Sequence, residues 1–495
     1  MAEGILSEIE AAKRRELAAR FDGVSIHVLR AAAQPTERSL AATLGQNGAR
    51  FILEIKKASP SSGAIRPNAD PGRLARGYDG VADALSVLCD GPYFGGSLDD
   101  LAAARGAFGG PILAKDFFID LRQVAEARIA GADAILVMLS LLEDDAARAM
   151  IAEAARFGMD ALVEVHDEME MRRALALGAS LIGINNRDLR DLSIDLSTTE
   201  RLAPLAAGRL VVSESGIASR NDVERLAPHV DGFLVGSSLM KAADPARAAR
   251  ELVFGRVKLC GLKRPEDFAA AQAATHAGLV MVPESPRGLN LGQALRLAPL
   301  HPRPVGVFRN ALVAEVAEAA LMLGLAAVQL HGDEDSEYVR TLARRLPPSC
   351  ETWKAITVGR STPRQFYTAD RLLFDSGAGG TGNTFDWTLI RDHPSLAHSV
   401  VAGGIGPHNA QAASRLGAHA IDVGSALDEL PGRKSPDKTA ALFEALRPAS
   451  RQGLRACALA VASDAMVAAT CRRFWCPRSS SSRPLSWTRR LTPLS

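Results

Sequence analysis

The chain has little cysteine, almost no net charge and no long apolar run. Only 6 of its 495 residues are Cys, and no two stand in a C-x-x-C arrangement. That excludes a disulfide framework and a Cys-rich zinc site, and it fits a reducing compartment. Lys and Arg total 58 against 56 Asp and Glu, a formal net charge of +2. Such a balance offers no global field toward nucleic acid or an anionic membrane. No apolar stretch approaches the ~20 residues that a membrane-spanning helix needs. The opening residues, Met1-Ala-Glu-Gly-Ile-Leu-Ser-Glu-Ile-Glu, lack the basic and apolar regions of a signal peptide, so a cytoplasmic protein is expected.

What is present is a rhythm. Residues 5–20 read as an amphipathic helix. Apolar strand candidates then recur near 51–56, 83–88, 111–115, 133–139, 160–165, 181–185, 209–213 and 231–236, with helical patterns such as 124–130 and 169–177 between them. Repeated β-then-α units imply a parallel sheet covered on both faces. The series restarts at Arg256, with eight more candidates near 256–260, 278–282, 304–308, 326–330, 352–356, 371–375, 398–402 and 419–424. No Pro/Gly/Ser-rich linker lies near 254–256. The fold class expected is α/β: two adjacent, tandem (β/α)8 barrels, the first with an extra N-terminal helix, each within reach of the roughly 200–250 residues such a barrel takes.

One short pattern closes both halves. Val212-Ser-Glu-Ser-Gly216 is followed by Asp231-Gly-Phe-Leu-Val-Gly236-Ser237, and Val401-Ala-Gly-Gly404 by Ala420-Ile-Asp-Val-Gly424-Ser425. In both, twenty positions separate the first Gly from the second: Gly216 to Gly236, and Gly404 to Gly424. Backbone N–H groups at such strand-to-helix turns cradle phosphate. Two cradles on consecutive late strands are the phosphate site of a (β/α)8 barrel. Its doubling points to two barrels, each binding a phosphorylated small molecule.

Strand C-terminal ends carry the chemistry in this architecture. In the first half they hold Glu54, Lys56 and nearby Ser59, then Lys115, Glu164, Asn185-Asn-Arg187 and Glu214-Ser215. Lys and Glu converging on one mouth suit acid/base work. Lys115 is expected near other cations, with its pKa lowered toward neutrality. In the second half, Cys260 ends strand one and Asp375 strand six, a pairing able to act as base and acid. His331 has no second ligand at metal spacing, and Gly377-Ala-Gly-Gly-Thr-Gly382 is no P-loop.

The first half resembles indole-3-glycerol-phosphate synthase through Phe51-Ile-Leu-Glu-Ile-Lys-Lys-Ala-Ser-Pro-Ser61, Leu113-Ala-Lys-Asp-Phe117, Leu162-Val-Glu-Val-His166, Gly183-Ile-Asn-Asn-Arg-Asp-Leu189 and Ser213-Glu-Ser-Gly-Ile217. The resemblance implies closure of 1-(2-carboxyphenylamino)-1-deoxyribulose 5-phosphate to an indole, with loss of CO2 and water. It implies Lys115 as general acid and Glu164 as acid/base in dehydration. Glu54 and Asn185 would orient hydroxyls, and Phe94 and Phe117 would face the aromatic ring. Lys56, Gly216, Gly236 and Ser237 would hold phosphate, with Ser59, Arg187 and Ser215 also at the substrate. The loop Cys89-Asp-Gly-Pro-Tyr-Phe94 departs from the family's usual wording.

The second half resembles phosphoribosylanthranilate isomerase through Val257-Lys-Leu-Cys-Gly261, Ser285-Pro-Arg287, Val305-Gly-Val-Phe-Arg-Asn310, Val328-Gln-Leu-His-Gly332 and Asp375 with Thr384-Phe-Asp-Trp387. That implies an Amadori rearrangement with Cys260 as base and Asp375 as acid. Arg287 would meet the anthranilate carboxylate, and Gly403, Gly404, Gly424 and Ser425 the phosphate. The histidine-pathway Amadori isomerase is a rival, but it has Asp where Cys260 stands. The loop from Gly424 to Asp437 is longer than usual. Together the halves resemble the enterobacterial bifunctional arrangement, with no metal or organic cofactor, and phosphorylated anthranilate-ribose compounds as the substrates of a monomer that binds neither nucleic acid nor membrane. The expected domains are 1–254, 255–449 and a tail at 450–495. The tail is rich in Arg, holds Cys457, Cys471 and Cys476, and has one acid, Asp464. It reads as a disordered extension or unselected read-through rather than a basic binding arm.

Overall fold

The computed structural model describes residues 3–188, 191–359, 361, 368–377 and 382–453. The N-terminal helix runs Glu3–Arg20. The first eight barrel strands follow as β1 (Arg50–Ile55), β2 (Ala84–Leu88), β3 (Ile112–Lys115), β4 (Ala134–Met138), β5 (Asp160–Val165), β6 (Leu181–Asn185), β7 (Leu210–Glu214) and β8 (Gly232–Val235). The second eight are β9 (Val257–Cys260), β10 (His276–Val280), β11 (Pro304–Phe308), β12 (Ala327–Leu330), β13 (Glu351–Thr357), β14 (Arg371–Asp375), β15 (Val400–Val401) and β16 (Ala420–Val423). Each set closes into a parallel barrel in sequence order, β1 pairing β8 and β9 pairing β16. All sixteen strand expectations are met to within about two residues. The tail beyond 453, including Cys457, Asp464, Cys471 and Cys476, lies outside the described residues, as do Leu189 and positions 378–381 of the Gly-rich run.

The period-2 alternation of a strand explains both the core and the sites. On β1, Phe51, Leu53 and Ile55 belong to the layer under the helices, while Ile52 joins the barrel interior and Glu54 stands above it. On β3, Leu113 points in below Lys115; on β5, Leu162 lies below Glu164. On β14, Leu373 fills the second barrel below Asp375. Each interior stripe therefore runs from apolar filling to one chemical group at the strand's C-terminal end. Helix entries use side-chain caps: Asp120 and Gln123 form a reciprocal capping box, and Asp70, Asp167 and Asn290 accept from the first turn of their helices.

Two residues separate the helix Pro245–Phe254 from β9, so the barrels abut. Phe254 meets Phe443 edge-on at 5.0 Å. Arg447 forks onto Asp83 at 2.9 and 3.0 Å and lies over the Phe254 ring. Ala49 donates to the Pro448 carbonyl and Arg451 to the Val230 carbonyl, so the chain after the last helix, Pro436–Leu446, runs across the N-terminal end of the first barrel. Ser450 and Arg451 are buried there. The segment expected to begin an unattached tail at 450 thus starts as part of the first barrel's floor. No helix among the described residues is long and apolar enough to cross a membrane.

Candidate active sites

At the C-terminal mouth of the first barrel, a cavity of about 440 Å³ gathers all the residues assigned to that half from the sequence. Glu54, Lys56, Ser59, Phe94, Lys115, Phe117, Glu164, Asn185, Arg187, Ser215, Gly216, Gly236 and Ser237 line it. Lys115 Nζ donates to Glu214 Oε2 at 2.7 Å and lies 3.6 Å from Glu54 Oε2. Lys56 Nζ is 2.8 Å from Glu54 Oε1. Phe94 and Phe117 stand 6.2 Å apart and tilted, an apolar wall for an aromatic ring. Ser59 Oγ is buried without a hydrogen-bond partner, and Asn185 Oδ1 accepts from the Arg187 N–H at 3.0 Å. Ser215 adopts the left-handed conformation, φ 64°, to open the turn before Gly216.

This geometry corrects the expectation for Lys115. Burial alone pulls its ammonium down, but Glu214, Glu54 and Glu164 surround it, and their field holds its pKa above the ordinary lysine value. The group displaced toward neutrality is Glu214, which burial, aided by Glu164 and Glu54 and opposed by Lys115, pushes up to about 7. Burial would also raise Glu54, but Lys56 and Lys115 keep its carboxyl below the usual range. Gly236 has a role besides phosphate: a Cβ there would land on the Glu54 carboxylate.

The second barrel's mouth holds a cavity of about 630 Å³ lined by Cys260, Arg287, Asp375, Gly403, Gly404, Gly424 and Ser425, again every residue assigned to that half. Arg287 is aimed by Asp428, which takes its Nε and Nη2 at 2.8 and 2.7 Å. Asp428 also holds Lys434 and belongs to the two-stranded hairpin Asp428–Leu430/Arg433–Lys434, which is the longer loop noted in the sequence. Burial raises the Cys260 thiol, and the Lys258 ammonium beside it works against that rise. Asp375 Oδ2 lies 3.4 Å from His331 Nε2, and His331 Nδ1 is 3.1 Å from the Gln329 amide. A Cβ on Gly403 would come within 3.0 Å of Asp375 Oδ1, so this glycine too makes room for a carboxylate.

The family profile described as indole-3-glycerol phosphate synthase matches residues 6–252. That described as N-(5'-phosphoribosyl)anthranilate isomerase matches residues 257–445. The tryptophan biosynthesis protein TrpCF of Yersinia pestis is 46% identical over 404 residues, 80% of this chain and 84% of that protein. The protein of the same name from Vibrio parahaemolyticus is 42% identical over 461 residues, covering 90% and 95%. The chain belongs to the TrpCF family. The crystal structure of a phosphoribosylanthranilate isomerase in complex with reduced 1-(o-carboxyphenylamino)-1-deoxyribulose 5-phosphate is 30% identical, with a TM-score of 0.33, over 39% of this chain and 97% of that one.

As a TrpCF enzyme, the protein carries two consecutive activities of tryptophan biosynthesis. The C-terminal barrel isomerises N-(5'-phosphoribosyl)anthranilate, and the N-terminal barrel closes the product to indole-3-glycerol phosphate with loss of CO2 and water. Several residues in the TrpCF sites carry no role from the sequence alone. Glu214 was visible only as the end of β7, and Gln329, His331 and Arg309 only as parts of motifs, yet all four line the cavities or touch their central groups. The inward alternation of β7 and β12 is the signal that singles out Glu214 and Gln329.

Proposed function

We propose that Lys115, Glu164 and Glu214 carry the proton transfers of ring closure, and Cys260 with Asp375 those of isomerisation. In the synthase barrel the ammonium of Lys115 protonates the substrate's carbonyl oxygen as the aromatic carbon attacks. Glu164 then moves protons during the loss of water. Glu214 takes Lys115's hydrogen bond at rest and, lying near neutrality, returns a proton to the lysine after transfer. Glu54 and Asn185 orient hydroxyls, and Phe94 and Phe117 clasp the anthranilate ring. Lys56, Ser59, Arg187, Ser215, Gly216, Gly236 and Ser237 hold the phosphate end.

In the isomerase barrel, Asp375 protonates the ring oxygen and Cys260 takes the proton from carbon. The C–H electron pair then flows into the C=N bond of the opened imine, giving the enol that becomes the ketone. Arg287, aimed by Asp428, receives the anthranilate carboxylate, and Gly403, Gly404, Gly424 and Ser425 the phosphate. The observation that carries this reading is the convergence of every assigned residue on one cavity per barrel. Each cavity is lined by residues of one barrel alone, which supports two sites that bind phosphorylated anthranilate derivatives without a contribution from a second copy of the chain. The test is separate assay of both steps in Lys115→Ala and Cys260→Ala variants. Each is expected to lose its own step by roughly 10²–10⁴ and keep the other; a folded Lys115→Ala enzyme that closes the ring at an unchanged rate would overturn the assignment.

A further inference from the structure

Below Cys260 the second barrel keeps an ion pair in an interior that is otherwise uncharged, its apolar filling broken only by the His276 imidazole and the Gln329 amide among the described residues. Lys258 and Asp422 face each other across the β9–β16 ladder, each two residues before a mouth residue, Cys260 and Gly424. Lys258 Nζ donates to Asp422 Oδ2 at 2.8 Å, with the side chains 0% and 7% exposed. The other oxygen, Asp422 Oδ1, is buried with no hydrogen-bond partner, and the residue lines the cavity. A Cβ on Gly278 would lie 3.0 Å from both Cys260 Sγ and Lys258 Cε, so the sulfur and the lysine stem share one small space. Val305, Ala327, Trp353, Leu373 and Val400 supply most of the apolar filling around it. A buried ion pair is not a gain over such packing, so its retention directly beneath the reactive thiol calls for another reason.

We propose that Lys258, held by Asp422, is a positioning residue of the isomerase: its ammonium is the counter-charge beside which the Cys260 thiolate forms. A thiol must lose its proton before it can act as a base, and burial opposes that loss. The thiol proton leaves through the open mouth to solvent. The ammonium then faces the sulfur anion, and when Cys260 takes the carbon proton the pair returns to its resting state. Asp422 keeps Lys258 charged but also shares its field, so the two side chains act on the thiol in opposite senses. The other titratable groups around the pair are His276, the ladder partner of Lys258, which burial keeps neutral, Lys434, bonded to the Gly424 carbonyl and Asp428, Arg287 and Glu284 on the loop after β10, and Arg309, Asp375 and His331 on the cavity wall. Of these only His276, neutral when folded, stands level with Lys258.

The inference rests on Cys260 being the base, and the experiment separates the two claims. The full chain is treated with iodoacetamide across a pH series, and modification of the peptide containing Cys260 is followed by mass spectrometry. The acid limb of the isomerase kcat/KM profile is measured in parallel. Lys258→Met is expected to move thiol ionisation up by on the order of one pH unit, slowing alkylation about tenfold at fixed pH; Lys258→Arg keeps most of the native profile. Asp422→Asn moves it down. Thermal melting of each variant against the wild-type chain reports folding. If Lys258→Met does not fold, Asp422→Asn decides: an acid-ward shift upholds the proposal, and no shift or an alkaline one overturns it. Thiol profiles unmoved, or moved the same way, in folded variants also overturn it. Unchanged turnover in Cys260→Ala would instead remove the base assignment and leave the alkylation result to judge the pair alone.

Discussion

The two barrels share a scaffold and a phosphate-loop spacing, yet their mouths are charged in different ways. The synthase mouth is a web of ion pairs, with Lys56 on Glu54 and Lys115 on Glu214 within 2.8 Å and Glu164 nearby. In the isomerase mouth Asp375 meets the Ser376 N–H at 2.7 Å and a histidine at 3.4 Å, Arg287 and Lys434 pair with Asp428 at the rim, and the buried lysine lies one layer lower, against Asp422. The difference follows the chemistry. Ring closure expels CO2 and water, so several groups must exchange protons at one centre. The isomerisation needs one acid and one base on opposite sides of an opened sugar. The scaffold dictates where a chemical group can stand, namely the last inward position of a strand. Residue type and neighbours decide what that group does.

The largest effects should come from removing those groups singly. Glu164→Gln and Lys115→Ala are expected to abolish ring closure and spare isomerisation. Asp375→Asn and Cys260→Ala should do the reverse, each by roughly 10²–10⁴ in rate. Steady-state assay of each step on one preparation checks this. A folded variant that lost both activities would mean that the barrels do not work independently.

Next in size is a pair of glycine substitutions that separates two roles of the phosphate loops. Gly236→Ala pushes a methyl into Glu54, whereas Gly403→Ala brings one to 3.0 Å from Asp375 Oδ1 at a backbone φ of 85°. If the glycines served phosphate alone, each change would raise KM and spare kcat. Because both also clear space for a carboxylate, kcat should fall, by about tenfold or more, and most for Gly236→Ala.

Much of this was legible in the sequence because barrel strands alternate with period 2 and end at the mouth. That rule located all sixteen strands and placed Glu54, Lys115 and Glu164 at one cavity and Cys260 and Asp375 at the other. It could not give the sign of the Lys115 shift. Lys56 and Lys115 look like neighbours along a list of strand ends, but the distances put carboxylates from β1 and β7 nearest to Lys115. The Lys258–Asp422 pair, 164 residues apart in sequence, and the aim of Arg287 by Asp428, 141 apart, depend on barrel closure and on a hairpin, which local pattern does not report. The return of residues 447–451 to the first barrel was hidden for the same reason.

Acid should separate the barrels by a smaller margin. In the isomerase barrel, burial pushes His301 down to about 4 and His276 well below its ordinary value. Both are neutral when folded, so the stability they contribute is full above the unfolded value of about 6.5 and is lost as pH falls from there toward 4. In the synthase barrel the signs reverse. Glu214, raised to about 7, and His166, raised by Glu170 and Glu164 against burial, hold protons more tightly when folded. Their contributions are present at low pH and fade as pH rises, from about 4.3 for Glu214 and about 6.5 for His166. Moving from pH 7.5 to 5 should therefore cost the isomerase barrel roughly 2 kcal/mol through His301, with His276 acting in the same direction, and should not weaken the synthase barrel through these groups. Heat-inactivation of the two activities at both pH values tests this; isomerase activity outlasting ring closure at pH 5 would contradict it.

The smallest expected effect concerns where the chain can be cut. Removing the residues from 454 onward should leave both activities and the melting temperature unchanged, since both barrels close by Val423. Removing residues from 447 onward is different. Asp83 loses the forked guanidinium of Arg447, Ala49 its bond to Pro448, and the carbonyls of Ala203 and Arg209 the side chain of Arg451. A nearly buried carboxylate left with Arg50 and the Phe51 N–H, and a floor opened to water, should cost about 2–3 kcal/mol. For a barrel of this size that is a drop of roughly 5–10 °C. The loss should fall on ring closure first, because Asp83, Ala49, Ala203 and Arg209 all belong to the synthase barrel. Melting curves of the two truncations against the full chain decide it. Equal melting temperatures for the cuts at 447 and 454 would show that the returning segment rests on the first barrel without stabilising it.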